Sequence, residues 1–170
     1  MSSTPTGRRE TRDFGEVVVL ERTFRAPVED VWASVTEPER LERWVGTWSG
    51  DPASGEVVFR MTAEGEEAPE ESLIIQECRP PRLLRAQVRV TGDTTQLWHW
   101  EVALAEQDGV TTLTFAQSTA GDISVADVGP GWEYYLDRLV ADRDGADVAT
   151  VDWSRDYYPA MCGYYSDLFS

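Results

Sequence analysis

At 170 residues, 41 % of them hydrophobic and including seven Trp, six Tyr and five Phe, the chain can enclose one hydrophobic core without metal or disulfide staples and is too apolar to be intrinsically disordered. Fifteen basic residues, all of them Arg, stand against 31 acidic ones for a formal charge of −16, which repels phosphate backbones and anionic headgroups and excludes nucleic acid and membrane surfaces as partners. No apolar run nears the ~20 residues of a membrane span, and the polar start MSSTPTGRRETRD lacks a signal-peptide segment, so a cytoplasmic protein is expected.

Residues 1–15 carry too little apolar surface to offset their ordering entropy and read as a disordered tail. Val17, Val18, Val19, Leu20 and Phe24 then make a β-branched strand, and Pro27 suits the first turn of a helix. Val28, Val31, Trp32 and Val35 recur at helical spacing. The Thr36-Glu37-Pro38-Glu39 segment reads as a capping box opening a second short helix that bears Leu41, Trp44 and Val45. From Gly55 to Gln117 the period changes to two, broken by turn clusters that include Thr91–Thr94, as in an antiparallel meander with one more polar face. Val57, Phe59 and Met61 share a face, as do Leu84, Ala86, Val88 and Val90, then Trp98, Trp100, Val102 and Leu104; Leu113 and Phe115 continue the pattern. After Gly129-Pro130-Gly131, the residues Trp132, Tyr135, Leu136, Leu139 and Val140 predict a long amphipathic helix across the sheet. Residues 146–170 hold Trp153, four Tyr and Pro159, and read as one short or kinked helix packed on the domain.

The blocks VVVLERTFRAPVEDVWASVTEPERLERWVG (Val17–Gly46), RPPRLL (Arg79–Leu84) and GWEYYLDRLVADRDG (Gly131–Gly145) resemble the SRPBCC superfamily, the START and birch-pollen-allergen-like helix-grip proteins. Within it they are similar to bacterial proteins related to the C-terminal domain of the activator of the heat-shock ATPase. The resemblance spans residues 16–145 and implies an α+β fold. In it a curved antiparallel sheet of about seven strands wraps a long C-terminal helix, two short helices follow the first strand, and a cavity lies between sheet and helix. Relatives include lipid binders, polyketide cyclases and chaperone regulators, so the fold does not choose among chemistries.

Catalytic constellations are sparse. His99 is the single histidine, and its alternation with Trp98 and Trp100 turns it away from the face those two share. Cys78 and Cys162 form no C-x-x-C pair and read as buried reduced thiols. Asp142-x-Asp144-Gly145-x-Asp147 lacks the remaining ligands of a calcium loop and reads as a solvated helix end, and Glu64–Glu71 reads as a solubilising turn. No catalytic residue, metal or cofactor is expected.

The candidate ligand-binding residues are aromatic and apolar. They are Trp44 and Trp48 after the short helices, Phe59 and Met61, Trp98 and Trp100, and Phe115 on strands, and Trp132, Tyr135 and Leu139 on the long helix. Indole N–H and phenol groups among them would orient a ligand, with Tyr134 and Gln117 as further hydrogen-bonding groups, although a closed core would use the same residues. The expected function is non-catalytic binding of a small hydrophobic or aromatic molecule by a monomer or homodimer. A cyclase- or hydrolase-type enzyme using the same cavity and a protein-interaction or chaperone-regulator module are the alternatives.

Overall fold

A computed structural model describes residues 4–65, 67–89, 97–119 and 123–170. Its elements in chain order are β1 (Arg8–Arg12), β2 (Gly15–Phe24), α1 (Val28–Thr36), α2 (Pro38–Leu41), β3 (Thr47–Ser49), β4 (Glu56–Arg60), β5 (Glu70–Arg79), β6 (Leu83–Arg89), β7 (Leu97–Gln107), β8 (Val110–Ser118), α3 (Val125–Arg143), α4 (Trp153–Asp156) and α5 (Cys162–Leu168). The strands form one antiparallel sheet of eight in the order β1-β2-β8-β7-β6-β5-β4-β3. The period-two alternation sends Phe59, Val88, Trp100, Leu104, Leu113 and Phe115 into a single core shared with α1, α2 and α3. This is the α+β helix-grip arrangement that the resemblance implied. Val90 and the Thr91–Thr94 turn lie outside the described residues.

The unbroken run Val17–Leu20 is buried on both faces of β2, because Val18 and Leu20 enter the main core while Val17 and Val19 pack with Ala116 under Phe14 on the convex side. Phe14 belongs to the segment expected to be a disordered tail, and that expectation is corrected. Residues 8–12 form β1, paired with β2 from Arg8↔Val19 to Arg12↔Gly15. The strand is held by ladder hydrogen bonds and cross-strand ion pairs, Arg8 to Glu21 at 3.1 Å and Arg9 to Glu16, neither of which registers in an apolar count. Its charged side chains also make the edge a poor template for another chain.

The proposed capping box does not form: Thr36 closes α1, its hydroxyl donating to the Trp32 carbonyl at 2.7 Å, and α2 ends at Leu41, so Trp44 and Val45 follow it in a turn. The long helix α3 starts at Val125, seven residues before the expected Trp132, and carries Pro130 within it. Gly129 serves packing here, since a Cβ at that position would sit 2.3 Å from Cγ of Tyr165. A Cβ on Gly131 would meet nothing within 4 Å. Gly129→Ala is therefore expected to lose roughly 1–3 kcal/mol to overpacking despite better helix propensity, whereas Gly131→Ala should gain up to ~1 kcal/mol. Chemical denaturation of the two variants checks this, and equal shifts would show that the Tyr165 ring yields freely.

Residues 146–170 form two short helices, α4 and α5, rather than one kinked helix. They lie along α3, where Tyr157 donates to Asp137 Oδ2 at 2.6 Å and Tyr165 donates to Glu133 Oε2 at 2.9 Å. Burial, and then the Glu133 carboxylate, push the Tyr165 phenol far above its ordinary range, so it remains a donor. Glu133 also accepts from Thr6 N at 2.5 Å, Thr6 Oγ1 at 2.6 Å and Arg22 Nη2 at 2.9 Å, and Tyr164 donates to the Gly7 carbonyl at 2.6 Å. Burial opposes the charge on Arg22, but Asp137 and Glu133 outweigh it and raise its pKa. Among the described residues no helix is long and apolar enough to cross a membrane.

Candidate functional site

The concave side of the sheet does not close completely on the helices. A cavity of about 240 Å³ lies between β4–β8, the α1–α2 turn and α3. Its wall includes Trp44, Trp48, Phe59, Trp100, Phe115 and Trp132 from the expected set, and also Trp32, Val35, Leu41, Val57, Leu73, Ile75, Leu84 and Ala86. The aromatic members are partly interlocked: Trp100 meets Trp132 edge to face at 5.3 Å and Phe59 at 5.7 Å, and Phe115 lies 4.1 Å from Trp132. The hollow is the space these rings leave toward α1, α2 and the β5–β6 end of the sheet.

Four lining indoles have committed N–H groups. Trp44 Nε1 donates to the Ser34 carbonyl at 2.9 Å and Trp48 Nε1 to the Thr36 carbonyl at 2.7 Å. Trp100 and Trp132 both donate to Gln117 Oε1, at 2.9 and 2.6 Å. The expectation that these indoles would orient a ligand is corrected: satisfied by the protein, they present only ring surface. Gln117 likewise faces the two indoles rather than a ligand. Cys78 is the one titratable side chain among the described residues lining this cavity, and burial pushes its thiol up, away from the reactive thiolate. Cys78 is exposed at the rim and Cys162 is half-buried, so neither is the buried thiol the sequence suggested.

The other expected residues lie elsewhere. Met61, Trp98 and Tyr135 line a second chamber of about 510 Å³ under the N-terminal half of α3, and Trp132 is the one residue that lines both. Leu139 lines neither; it is wholly buried in the core. The second chamber also contains Glu64, Glu71 and Asp127. The Glu64–Glu71 segment is thus no simple solubilising turn, because Glu71 opposes Phe59 on β5 and shares its concave face. Burial, and then the neighbouring Glu64, raise the Glu71 pKa. Tyr135 donates to Glu64 Oε1 at 2.8 Å, and its phenol is raised far above its usual value by burial and Glu64.

His99 points to the convex face, as its alternation predicts, and stacks on Phe14 with ring centroids 4.5 Å apart. Burial lowers its pKa. Glu101, on the same face, is buried but tied to Arg85 at 2.9 Å and Arg12 at 3.5 Å. Asp147 of the calcium-like stretch accepts from Ala149 N at 2.9 Å and caps a local turn. The lining residues that sequence reasoning missed on α1, β5 and β6 are aliphatics apart from Trp32, Thr36 and Cys78, and their signal was only the shared period. Glu71 had none, since an acidic run looks solvated.

Known proteins share this architecture. The crystal structure of CalU16 from Micromonospora echinospora matches with a TM-score of 0.73 and 24 % identity over 99 % of this chain and 98 % of that one. The Enterococcus faecalis protein EF2215, described as a conserved protein of unknown function, matches with a TM-score of 0.69 and 19 % identity over 96 % of this chain and 90 % of that one. DynU16, a protein in the dynemicin biosynthetic locus, gives a TM-score of 0.59 and 22 % identity over 78 % of this chain and 49 % of that one. No curated protein sequence matches the chain. The family model for activator of Hsp90 ATPase homolog 1-like protein matches residues 25–141, from the end of β2 almost to the end of α3. With that match spanning most of the helix-grip domain, the chain belongs to the activator of Hsp90 ATPase homolog 1-like family of the SRPBCC superfamily.

Proposed function

We propose that this protein is a non-catalytic receptor for a small apolar molecule, aromatic by preference, held in the cavity between β4–β8, the α1–α2 turn and α3. One observation carries the reading: the indole N–H groups of Trp44, Trp48, Trp100 and Trp132 are all spent on protein acceptors. What remains, Trp32, Thr36 and Cys78 aside, is hydrocarbon wall, which water wets poorly and an apolar guest fills at a gain of ~25 cal/mol per Å² buried. Size narrows the guest. At about 240 Å³ the cavity exceeds the ~150 Å³ apolar hole that takes up benzene and falls below the ~300–1,000 Å³ of drug-sized sites. One or two fused rings fit that interval. An enzyme working in this cavity would need an acid or base, and the raised Cys78 thiol is a poor candidate.

The test is titration with naphthalene and indole, followed by thermal shift and by displacement of a neutral fluorescent naphthylamine. Ala86, buried on β6 and lining the cavity, is the place to block it. Ala86→Phe is expected to keep the fold and weaken uptake at least about tenfold, a loss of ~1.4 kcal/mol. Undiminished uptake by a folded Ala86→Phe variant would refute the reading.

A further inference from the structure

The second chamber has a chemistry unlike the first. Its walls are aromatic, with Trp98, Trp132, Tyr134, Tyr135 and Trp153, and its charged lining residues are three carboxylates, Glu64, Glu71 and Asp127. No Arg lines it among the described residues. Arg138 lies outside that wall, its guanidinium over the Tyr134 ring at 5.4 Å and its Nε donating to the Trp44 carbonyl at 2.9 Å. The carboxylates are graded in depth, with Glu64 and Asp127 exposed at the rim and Glu71 half-buried on β5. Two buried polar atoms of residues that line the chamber, Glu71 Oε2 and Trp98 Nε1, have no hydrogen-bonding partner. Such orphaned atoms are rare in folded proteins because each forfeits its solvation.

We propose that this chamber binds an organic ammonium group, with its charge on Glu71 and Glu64 and its alkyl or aryl substituents against the rings. Aromatic faces carry negative quadrupole potential and attract a cation placed over them, most strongly where water is excluded. Carboxylates that repel one another across a half-buried hollow are relieved by the same charge. A neutral apolar guest would gain from the rings but leave the carboxylates unanswered. An anion would be repelled by all three. An inorganic cation would leave the aromatic walls unused. The combination selects a cation with a hydrocarbon coat, a protonated or quaternary amine. The chamber shares only Trp132 with the apolar cavity, so this inference stands or falls separately from the receptor reading.

The decisive comparison uses a matched pair of probes on the full chain, benzyltrimethylammonium and its uncharged isostere neopentylbenzene, followed by isothermal titration and tryptophan fluorescence. The ammonium probe is expected to bind one per chain and to lose about tenfold in affinity in Glu71→Gln. Glu29→Gln removes an exposed carboxylate elsewhere and should leave it unchanged, which separates a site from general attraction to an acidic surface. A second variant, Trp153→Ala, trims an exposed ring from the rim and should also weaken the ammonium probe. Equal binding of the uncharged isostere through this chamber, or equal effects of the Glu71 and Glu29 substitutions, would overturn the proposal. Uptake of naphthalene in the other cavity is expected to be unaffected by Glu71→Gln.

Discussion

Glu133→Ala is expected to cost about 3–5 kcal/mol of folding stability, because it strips one of two carboxylate partners from a largely buried cation and the acceptor from three further donors at once. Glu133 is 1 % exposed in the middle of α3. Its two oxygens accept from Arg22, from the Thr6 amide and hydroxyl, and from Tyr165. With the carboxylate gone, Arg22 keeps Asp137 at 3.0 Å as its remaining ion pair, and the Tyr165 hydroxyl loses its acceptor while still receiving Gly7 N at 3.1 Å. At this chain length the loss corresponds to a fall in Tm on the order of 10 °C. Glu133→Gln, which keeps an acceptor oxygen, should lose less. Urea denaturation gives the magnitude, and hydrogen exchange at residues 6–12 shows whether β1 comes loose. A loss under about 1 kcal/mol with β1 still protected would mean that β1 does not depend on this carboxylate.

Gln117→Met should cost about 2–6 kcal/mol, at 1–3 kcal/mol for each of two buried donors left without an acceptor. Gln117 is 0 % exposed on β8 and accepts both the Trp100 and Trp132 indole N–H groups on one oxygen. Its own Nε2 has no partner, and removing that orphan offsets part of the cost. The same substitution bears on ligand choice, because freed indole N–H groups at the cavity wall would admit guests bearing an acceptor. Denaturation and a comparison of indole with a quinoline-type acceptor ligand measure the two effects. If stability falls by less than about 1 kcal/mol and guest preference is unchanged, the shared acceptor is not what keeps the cavity wall apolar.

What could be read in the residues was whatever burial writes as a period. β4, β6, β7 and β8 announce themselves through alternation, β2 through its unbroken β-branched run, and the Trp132–Leu139 stripe announces α3. β1 could not be seen this way, since its order comes from backbone pairing and from Arg–Glu contacts rather than buried apolar area. The start of α3 was hidden by Gly129-Pro130-Gly131, which resembles a breaker until the Tyr165 ring is found occupying the space beside Gly129. For the candidate site, facing direction was legible but partition was not. Trp98 and Trp100 share a face two residues apart on β7, yet they line different chambers because Trp132 and the other interlocked rings stand between. Nor does a tryptophan's place in a pattern tell whether its N–H is free, which depends on carbonyls at Ser34 and Thr36 that belong to another element.

The clasp between Gly7 and Tyr165, 158 positions apart, sets an order of events during synthesis. A nascent chain can build the meander as its strands leave the ribosome, but β1 cannot be locked down until the residues around Tyr165 have been translated. Until then the edge of β2 and the convex valines beneath Phe14 stand open to pairing with another molecule. Closure of that clasp is thus the event that ends the nascent chain's exposure to self-association.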